Sequence, residues 1–592
     1  MCGVQGPALV LLKACVDMAA SSLCLGENLK KQGEHMTNSA LVTSASNKTK
    51  PQKFDTKKHE PDTNCVYRGA RFNPPDAEYL KKMLASNLAC AQVIVVSNRQ
   101  PFSHTLVDGQ ARLVQPASGL VTALEPVVRA CAGTWIAHGN GEHDKHFVDS
   151  HDRCPAPAGH GDYTLRRVWM SAVEQRGYCD GFSNSGLWPL SHMAHVRPVL
   201  NEADWQQYAA INRRFADAVV DEARGSDPIV LIQDYHLALV PALVRAKLPR
   251  ATIISFWHIP WPHPEQMSMC PWLPEILDGL LGCDVVGLQT PQHVRNFAEL
   301  AKRHQKNVMT TPVPHLPHAG HTTQIRDYPI SIAWPTQADE AANVSIKHCR
   351  ELIFAQHHLS EQCRLIIGVD RFDYTKGLLE RLHAFETLLD VHPQWRSVVR
   401  FIQIASPTRI DLKEYTNYQL QVFKEAERIN AKFESAGGTP VILLDKHHDK
   451  TALNTLYRAA DVCVVSSLHD GMNLVCKEFV AARTDERGVL LLSQFAGAAN
   501  ELSQALIVNP YHTQQVAHAL HQALTMPVDE QLHRMQALRA TVKNANVYKW
   551  AADMLRDAIA LREPMKQQNN ISLSPRFFGN TPHAIRPALT AR

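Results

Sequence analysis

Short apolar runs alternate along the middle of this chain with stretches whose apolar positions recur every three or four residues. In the first half the runs are Val93 to Ser97, Ile229 to Gln233, Thr252 to Trp257 and Asp284 to Leu288. In the second half they are Leu365 to Val369, Val399 to Ile404, Val441 to Leu444, Val462 to Ser466 and Val489 to Leu492. Runs that are apolar on both faces and separated by helical periodicity read as parallel strands in βα units. The pattern therefore predicts an α/β protein with two Rossmann-like domains facing a cleft. The break falls near Tyr328-Pro329-Ile330, after a His- and Pro-rich segment from Thr311 to His321 that reads as loop. Residues 91–327 and 328–545 are the expected domains, and in such sheets ligands bind at the carboxyl ends of the strands.

The flanks have no such pattern. The first 26 residues are mildly apolar, but Lys13 and Asp17 interrupt them and no basic start precedes them. A secretory signal needs a cleaner apolar core, and a membrane span about 20 uninterrupted apolar residues. Residues 27 to about 90 are rich in Lys, Asn, Ser and Thr, and the tail over 563–592 has no periodicity, so 1–90 and 563–592 are expected to be poorly structured.

The chain has 592 residues, which exceeds what one core supports and agrees with two domains. Its formal charge of +4 is too small for a nucleic-acid or anionic-membrane footprint, so neither partner is expected. Fourteen Cys without a CxxC pair, several of them in apolar runs, favour reduced core thiols and a cytoplasmic protein over a disulfide framework or a zinc site.

The candidate chemistry gathers at strand ends. After the run ending at Ser466 comes Asp470-Gly471-Met472-Asn473-Leu474, followed by a helix with Val475, Phe479, Val480 and Ala482 on one face. Strand, glycine turn and helix start leave free N–H groups at the positive end of a helix dipole, which suits a diphosphate. Glu478, further along that helix, is placed to reach hydroxyls of the same ligand. A second such turn, Asp370-Arg371-Phe372-Asp373-Tyr374-Thr375-Lys376-Gly377, puts Arg371 and Lys376 beside another helix start, either as a clamp for a leaving diphosphate or as a solvated surface pair.

In the first half, Arg99 ends the first run, and Ala117-Ser118-Gly119-Leu120 opens a helix after a hairpin-like stretch around Gly109. Arg409 holds the matching place in the second half, so the two can grip a phosphorylated acceptor across the cleft. Asp234-Tyr235-His236, His258-Ile259-Pro260-Trp261-Pro262 and Phe182-Ser183-Asn184-Ser185-Gly186-Leu187-Trp188-Pro189 face the same cleft. Asp and His there can orient sugar hydroxyls, and an indole can stack on a sugar. The plainer readings are a turn cap for His258 and a core position for Trp188. The sequence lacks the third glycine of a dinucleotide fingerprint after Gly139-Asn140-Gly141, and it contains neither a GxxxxGK[ST] loop nor an HExxH pair.

These motifs together resemble the trehalose-6-phosphate synthases of glycosyltransferase family 20. The likeness runs from about Val93 to Trp550 through SNR, DYH, HIPWP, GVDRFDYTKG, DGMNLVCKE and ALIVNPY. The resemblance implies the GT-B fold, with a C-terminal helix over 546–562 crossing back to the first domain. It also implies transfer of glucose from a nucleotide diphosphate sugar, expected to be UDP-glucose, to glucose 6-phosphate, with retention and with no metal or other cofactor.

Carried over by motif, Arg371 and Lys376 would bind the donor diphosphate and stabilise the leaving group. Asp470 with the N–H groups of Gly471, Met472, Asn473 and Leu474 would hold the donor sugar, Glu478 the ribose, and His258 would stand beside the glucose. Arg99 and Arg409 would take the acceptor phosphate, and Trp188 and Asp234 its hydroxyls. One position departs from the family: members commonly carry a Tyr nine residues before the Trp of FSN-LWP, and here that residue is Cys179, with Tyr178 adjacent as a substitute by register shift. This keeps a sister activity open, glucosylglycerol-phosphate synthase, which uses glycerol 3-phosphate. A non-catalytic regulatory subunit would be marked by loss of Arg371, Lys376 or Asp470, and all three are present. The nucleotide and any homo-oligomeric state stay open.

Overall fold

The computed structural model describes residues 75–88, 92–107, 110–114, 119–157, 161–305, 315–318, 320–336, 344–434 and 439–571. Contacts divide the chain into a unit over Met1–Arg71, outside the described residues, and a unit over Phe72–Arg592 that holds both sheets. In the first half the strands are β1 (Val93–Arg99), β2 (Ser103–Val107), β3 (Gln110–Val114), β4 (Thr134–His138), β5 (Arg153–Ala156) and β6 (Tyr163–Val168). They are followed by β7 (Ile229–Gln233), β8 (Thr252–Phe256), β9 (Val285–Leu288), β10 (His315–His318) and β11 (His321–Asp327). The second half carries β12 (Arg364–Arg371), β13 (Val399–Ser406), β14 (Val441–Leu444), β15 (Val462–Val465), β16 (Val489–Ser493) and β17 (Leu506–Val508).

Among the described residues the strands form a sheet of nine, ordered β10-β11-β9-β8-β7-β1-β4-β6-β5, a sheet of six, ordered β14-β13-β12-β15-β16-β17, and the separate hairpin β2-β3. Pairing is parallel except in the hairpin and at the edges of the large sheet, where β10 runs against β11 and β5 against β6. In each sheet the winding reverses beside its first strand, between β1 and β7 and between β12 and β15. A crevice opens at such a reversal because the connecting helices leave to opposite faces. Arg99 and Asp234 flank the first reversal, and Arg371 and Asp470 the second.

Two segments tie the halves together. Residues 328–336 run between them without regular structure: the Ile330 N–H donates to Gln289 Oε1 at 3.1 Å, and the Ile330 carbonyl accepts from Lys477 Nζ at 2.8 Å. The helix Val547–Ile571 returns to the first sheet, where the Trp550 ring meets Phe256 edge-on with centroids 5.0 Å apart. There Asp557 accepts from Arg326 at 2.6 Å and from the Tyr328 hydroxyl at 2.7 Å.

Several expectations need correction. The helix Ala77–Leu88 lies inside the supposedly unstructured extension; Leu80 and Met83 make a buried stripe that the Lys-rich composition hides, and it packs on the helices Gly119–Cys131 and Val547–Ile571. The return helix continues past 562, through Pro564, to Ile571. The His-rich loop is in part the edge pair β10-β11. Strands β4, β6 and β17 escaped notice; in β6 the buried Arg167 breaks the apolar signal, and its charge is met by Asp144 at 3.1 Å. The first 26 residues, Gly109, Ala117, Ser118 and the tail beyond 571 lie outside the described residues.

Candidate active site

The donor side is built from the turns after β12 and β15. The chain leaves β12 at Arg371, Asp373 caps a short turn by accepting from the Thr375 N–H at 3.1 Å, and Gly377 begins the helix Leu378–Val391 at φ 65°, ψ 41°. A Cβ at Gly377 would stand 2.2 Å from the Ser466 carbonyl oxygen, so only glycine lets this turn lie against the end of β15. The buried Arg381 locks the two turns together, donating to Ser466 Oγ at 2.8 Å, to Gln403 Oε1 at 2.8 Å and to Asp370 Oδ2 at 2.7 Å.

Across this joint Lys376 Nζ donates to Asp470 Oδ2 at 2.5 Å. Burial raises the Asp470 pKa, but Lys376, His192 and the Asn473 hydrogen bond together outweigh it, and the carboxyl stays below its ordinary value and ionised. Asn473 adopts φ 73°, and the helix Val475–Ala482 starts with no side chain capping its first N–H groups. Those groups, with Lys376 and Arg371, present positive charge at one helix start. Glu478 accepts from the Tyr457 hydroxyl at 3.0 Å, and burial raises its pKa.

The opposite wall comes from the first sheet and a helical segment wound as a π-helix, Arg176–Leu187, which runs into Trp188–Ser191. The wider turn is closed by side chains: Ser183 Oγ donates to the Tyr178 carbonyl at 2.7 Å and Ser185 Oγ to the Asp180 carbonyl at 2.7 Å. Such winding is uncommon and concentrates at functional sites. Arg409 spans the cleft from the second half in a left-handed conformation, φ 47°. It donates to the Tyr235 hydroxyl at 3.2 Å and to the Tyr415 hydroxyl, and its guanidinium carbon lies 4.0 Å from the Trp188 ring centroid. Tyr235 in turn donates to Asn184 Oδ1 at 3.0 Å, whose Nδ2 is 3.4 Å from the Cys179 sulfur.

Arg99, Arg371 and Arg409 lie close enough to affect one another. Arg99 opens onto the cleft, yet desolvation by its surroundings and then repulsion by Arg371 and Arg409 hold its pKa below the ordinary arginine value. For Arg409 burial works in the same direction, but Tyr415, Tyr235 and Asp373 outweigh it and raise the pKa. Asp234 leaves β7 at φ 76° and accepts from the His258 N–H at 3.2 Å; burial pushes its pKa up to about 7. Grouped guanidiniums of this kind make a strong anion site.

The structure brings Arg371, Lys376, Asp470, Gly471, Met472, Asn473, Leu474 and Glu478 to the second-half wall of the cleft and Arg99, Asp234 and Trp188 to the first-half wall, with Arg409 reaching over from the second half. Trp188 is buried, with Arg409 over its ring and His192 stacked at 4.2 Å, so the plainer core reading describes much of its surroundings. Tyr178 is fully buried, 5.9 Å from the Tyr208 ring and 6.2 Å from that of His236, while Cys179 lies near Arg99 and Arg409. No register shift brings Tyr178 out: the π-helix turns Cys179 toward the cations.

The His258 ring bonds Gln233 Oε1 at 2.8 Å and packs edge-on against Phe256; burial pushes its pKa down to about 3. Its carbonyl oxygen lies against the donor turn, where it would stand 2.0 Å from a Cβ on Gly471. A second imidazole beside the donor turn is that of His192, absent from the sequence reading. It is buried, Asp470 and Asp373 act on it, and its ring is 6.0 Å from that of His469. His192 Nδ1 lies 2.8 Å from the Trp188 carbonyl, which can only accept, so Nδ1 carries the proton. Burial pushes the His192 pKa down to about 3, and the ring is neutral near pH 7. Nε2 is left as a buried acceptor without a partner. Its place four residues after Trp188 was the one available sequence signal.

The model of glycosyltransferase family 20 matches residues 91–560. The chain belongs to glycosyltransferase family 20. Among its relatives, a trehalose-6-phosphate synthase of Mycolicibacterium gilvum is 36% identical over 490 residues, 81% of this chain and 96% of that protein. A second, from Mycobacterium sp. strain JLS, is 37% identical over 476 residues, 79% of this chain and 96% of that protein. An α,α-trehalose-phosphate synthase (UDP-forming) of Burkholderia xenovorans, solved with glucose 6-phosphate, superposes with TM-score 0.69 at 31% identity, covering 79% of this chain and 99% of that one. An E. coli structure bound with UDP-2-fluoro glucose does so with TM-score 0.70 at 32% identity, covering 79% and 99%. The family member has the expected GT-B architecture, and among the described residues no helix is long and apolar enough to cross a membrane.

Proposed function

We propose that this family 20 member moves glucose from UDP-glucose to glucose 6-phosphate with retention, giving trehalose 6-phosphate and UDP. The observation that carries the reading is the convergence of Arg99, Arg371 and Arg409 from both halves, with Lys376 paired to Asp470 beside an uncapped helix start. A diphosphate and a phosphate monoester are the two anions this arrangement suits. The relatives' substrates, glucose 6-phosphate in one neighbour and a UDP-glucose analogue in another, support the same pairing.

In this reading Arg371 and Lys376 hold the donor diphosphate, and Arg99 and Arg409 the acceptor phosphate. Asp470, the N–H groups of Gly471 to Leu474 and the bare Nε2 of His192 orient the donor glucose, whose hydroxyls can donate to both side chains. Asp234 accepts from an acceptor hydroxyl and Glu478 from the ribose. The bond from the anomeric carbon to the β-phosphate oxygen breaks, the acceptor oxygen bonds that carbon on the same face, and the acceptor proton passes to the departing phosphate. The charge that builds on the diphosphate is met by fixed cations already in place, which is the largest source of acceleration such a site can offer. No metal or other cofactor has a part in this scheme.

The test is release of nucleoside diphosphate by the purified protein, with glucose 6-phosphate and glycerol 3-phosphate offered side by side. Turnover with glucose 6-phosphate alone is expected. Turnover with glycerol 3-phosphate alone would replace the reading by the sister activity, and silence with both would remove it.

A further inference from the structure

We propose that Asp373 is the shared anchor of the two anion subsites, a single carboxylate that positions Arg371 on the donor side and Arg409 on the acceptor side. Asp373 is fully buried. Its Oδ1 is committed to its own turn, accepting from the Thr375 N–H at 3.1 Å and from Thr375 Oγ1 at 2.9 Å. Its Oδ2 has no hydrogen-bond donor in contact, and faces an Arg371 nitrogen at 3.5 Å and an Arg409 nitrogen at 3.7 Å. A carboxylate serving one arginine closes to a bidentate pair below 3 Å. This one stands between two and closes on neither.

The same two guanidiniums share an aromatic support, with their central carbons 5.8 Å (Arg371) and 4.0 Å (Arg409) from the Trp188 centroid. Arg371, Arg409 and Lys376 hold the Asp373 carboxyl below its ordinary pKa against the opposing effect of burial, so the anchor is ionised. Asp373 thus offsets the repulsion among the cations while leaving their outward N–H groups for the ligands. It touches neither anion, so it is a positioning residue, and its loss should loosen both subsites together.

The proposal rests on the functional reading above, and one binding experiment separates the two. UDP and glucose 6-phosphate are titrated separately into the parent protein, Arg371→Ala, Arg409→Ala and Asp373→Asn, with melting curves to verify folding. Arg371→Ala should weaken chiefly UDP and Arg409→Ala chiefly glucose 6-phosphate, whereas Asp373→Asn should weaken both, each about tenfold. A purely structural role would lower the melting temperature and leave both dissociation constants in place, which overturns the proposal, as does a loss confined to one ligand. If Asp373→Asn does not fold, Asp373→Glu keeps the charge and should shift both constants in the same direction; a shift in one alone is again fatal. A parent protein that binds neither ligand defeats the functional reading first, and the anchor with it.

Discussion

At the site Gly471 packs directly against the His258 backbone of the other half, and this makes a sharp prediction for Gly471→Ala. A methyl there would stand 2.0 Å from the His258 carbonyl oxygen, where ordinary contact begins at 3.4 Å, so the two backbones must part by about 1.4 Å. The atoms in the way belong to the peptide units of His258 and Ile259, not to a side chain that can rotate aside. Gly471 does not occupy a positive φ, so the substitution should strain the joint between the halves and leave the folding of each intact. The displacement falls on the turn that carries Asp470 and the helix start. A misplacement of about 1 Å at reacting groups costs on the order of 10²-fold in rate, equivalent to about 2.7 kcal/mol in activation free energy. The assay is kcat/KM for UDP release, with Gly225→Ala as the control, since a methyl there meets nothing within 4 Å. Activity of Gly471→Ala within threefold of the parent, with an unchanged melting curve, would refute the claim that this contact positions the donor turn.

Arg371→Ala removes a cation that faces the leaving diphosphate and should lower kcat by about 10²-fold or more, read in the same assay; unchanged turnover would sink the assignment. Arg99→Ala should raise KM for the phosphorylated acceptor and spare that for the donor, and an equal loss for both would count against its role. His192→Ala should cost about 10²-fold in kcat through the lost Nε2 acceptor, with little pH dependence between 6 and 8 because the ring is neutral there. Asp234, with its pKa pushed up to about 7, should accept an acceptor hydroxyl best when ionised, so acceptor KM should fall as pH rises through about 7, and Asp234→Asn should flatten that profile. The folded protein keeps a proton on Asp234 between about pH 4 and 7 that the unfolded chain has lost, so this group's stability contribution falls as pH rises across that window. Melting temperatures of parent and Asp234→Asn from pH 5 to 8 would show it, the variant gaining on the parent as pH rises.

Much of the site could be read in the chain because strand ends are easily recognised. A strand buried on both faces is largely apolar, so the polar residues that follow such a run mark the carboxyl edge where ligands bind; Arg99, Asp234, Arg371 and Asp470 all lie within four residues of the end of a run. Their partners carry no such mark. Asp373 reads as one more turn residue until Arg409, on the turn after the neighbouring strand, is seen beside it, and His192 becomes significant only once its Nε2 is found buried without a partner. Cys179 and Tyr178 could not be ranked from sequence, since the side each presents depends on backbone hydrogen bonds that span five residues rather than four in Arg176–Leu187. Strand β6 was hidden for a similar reason: its buried Arg167 is met by Asp144 and Gln100 from other parts of the chain.

Local patterning therefore determined which elements form, the two-sheet class and the residue types that meet the ligands, because apolar periodicity and turn chemistry act over a few neighbouring positions. Tertiary structure decided which charges share a counter-ion, that the His192 imidazole stands near Asp470 and how closely the halves approach. Those properties depend on burial and on distances of a few ångströms between groups far apart in sequence, such as Lys376 and Asp470 or Arg409 and Tyr235.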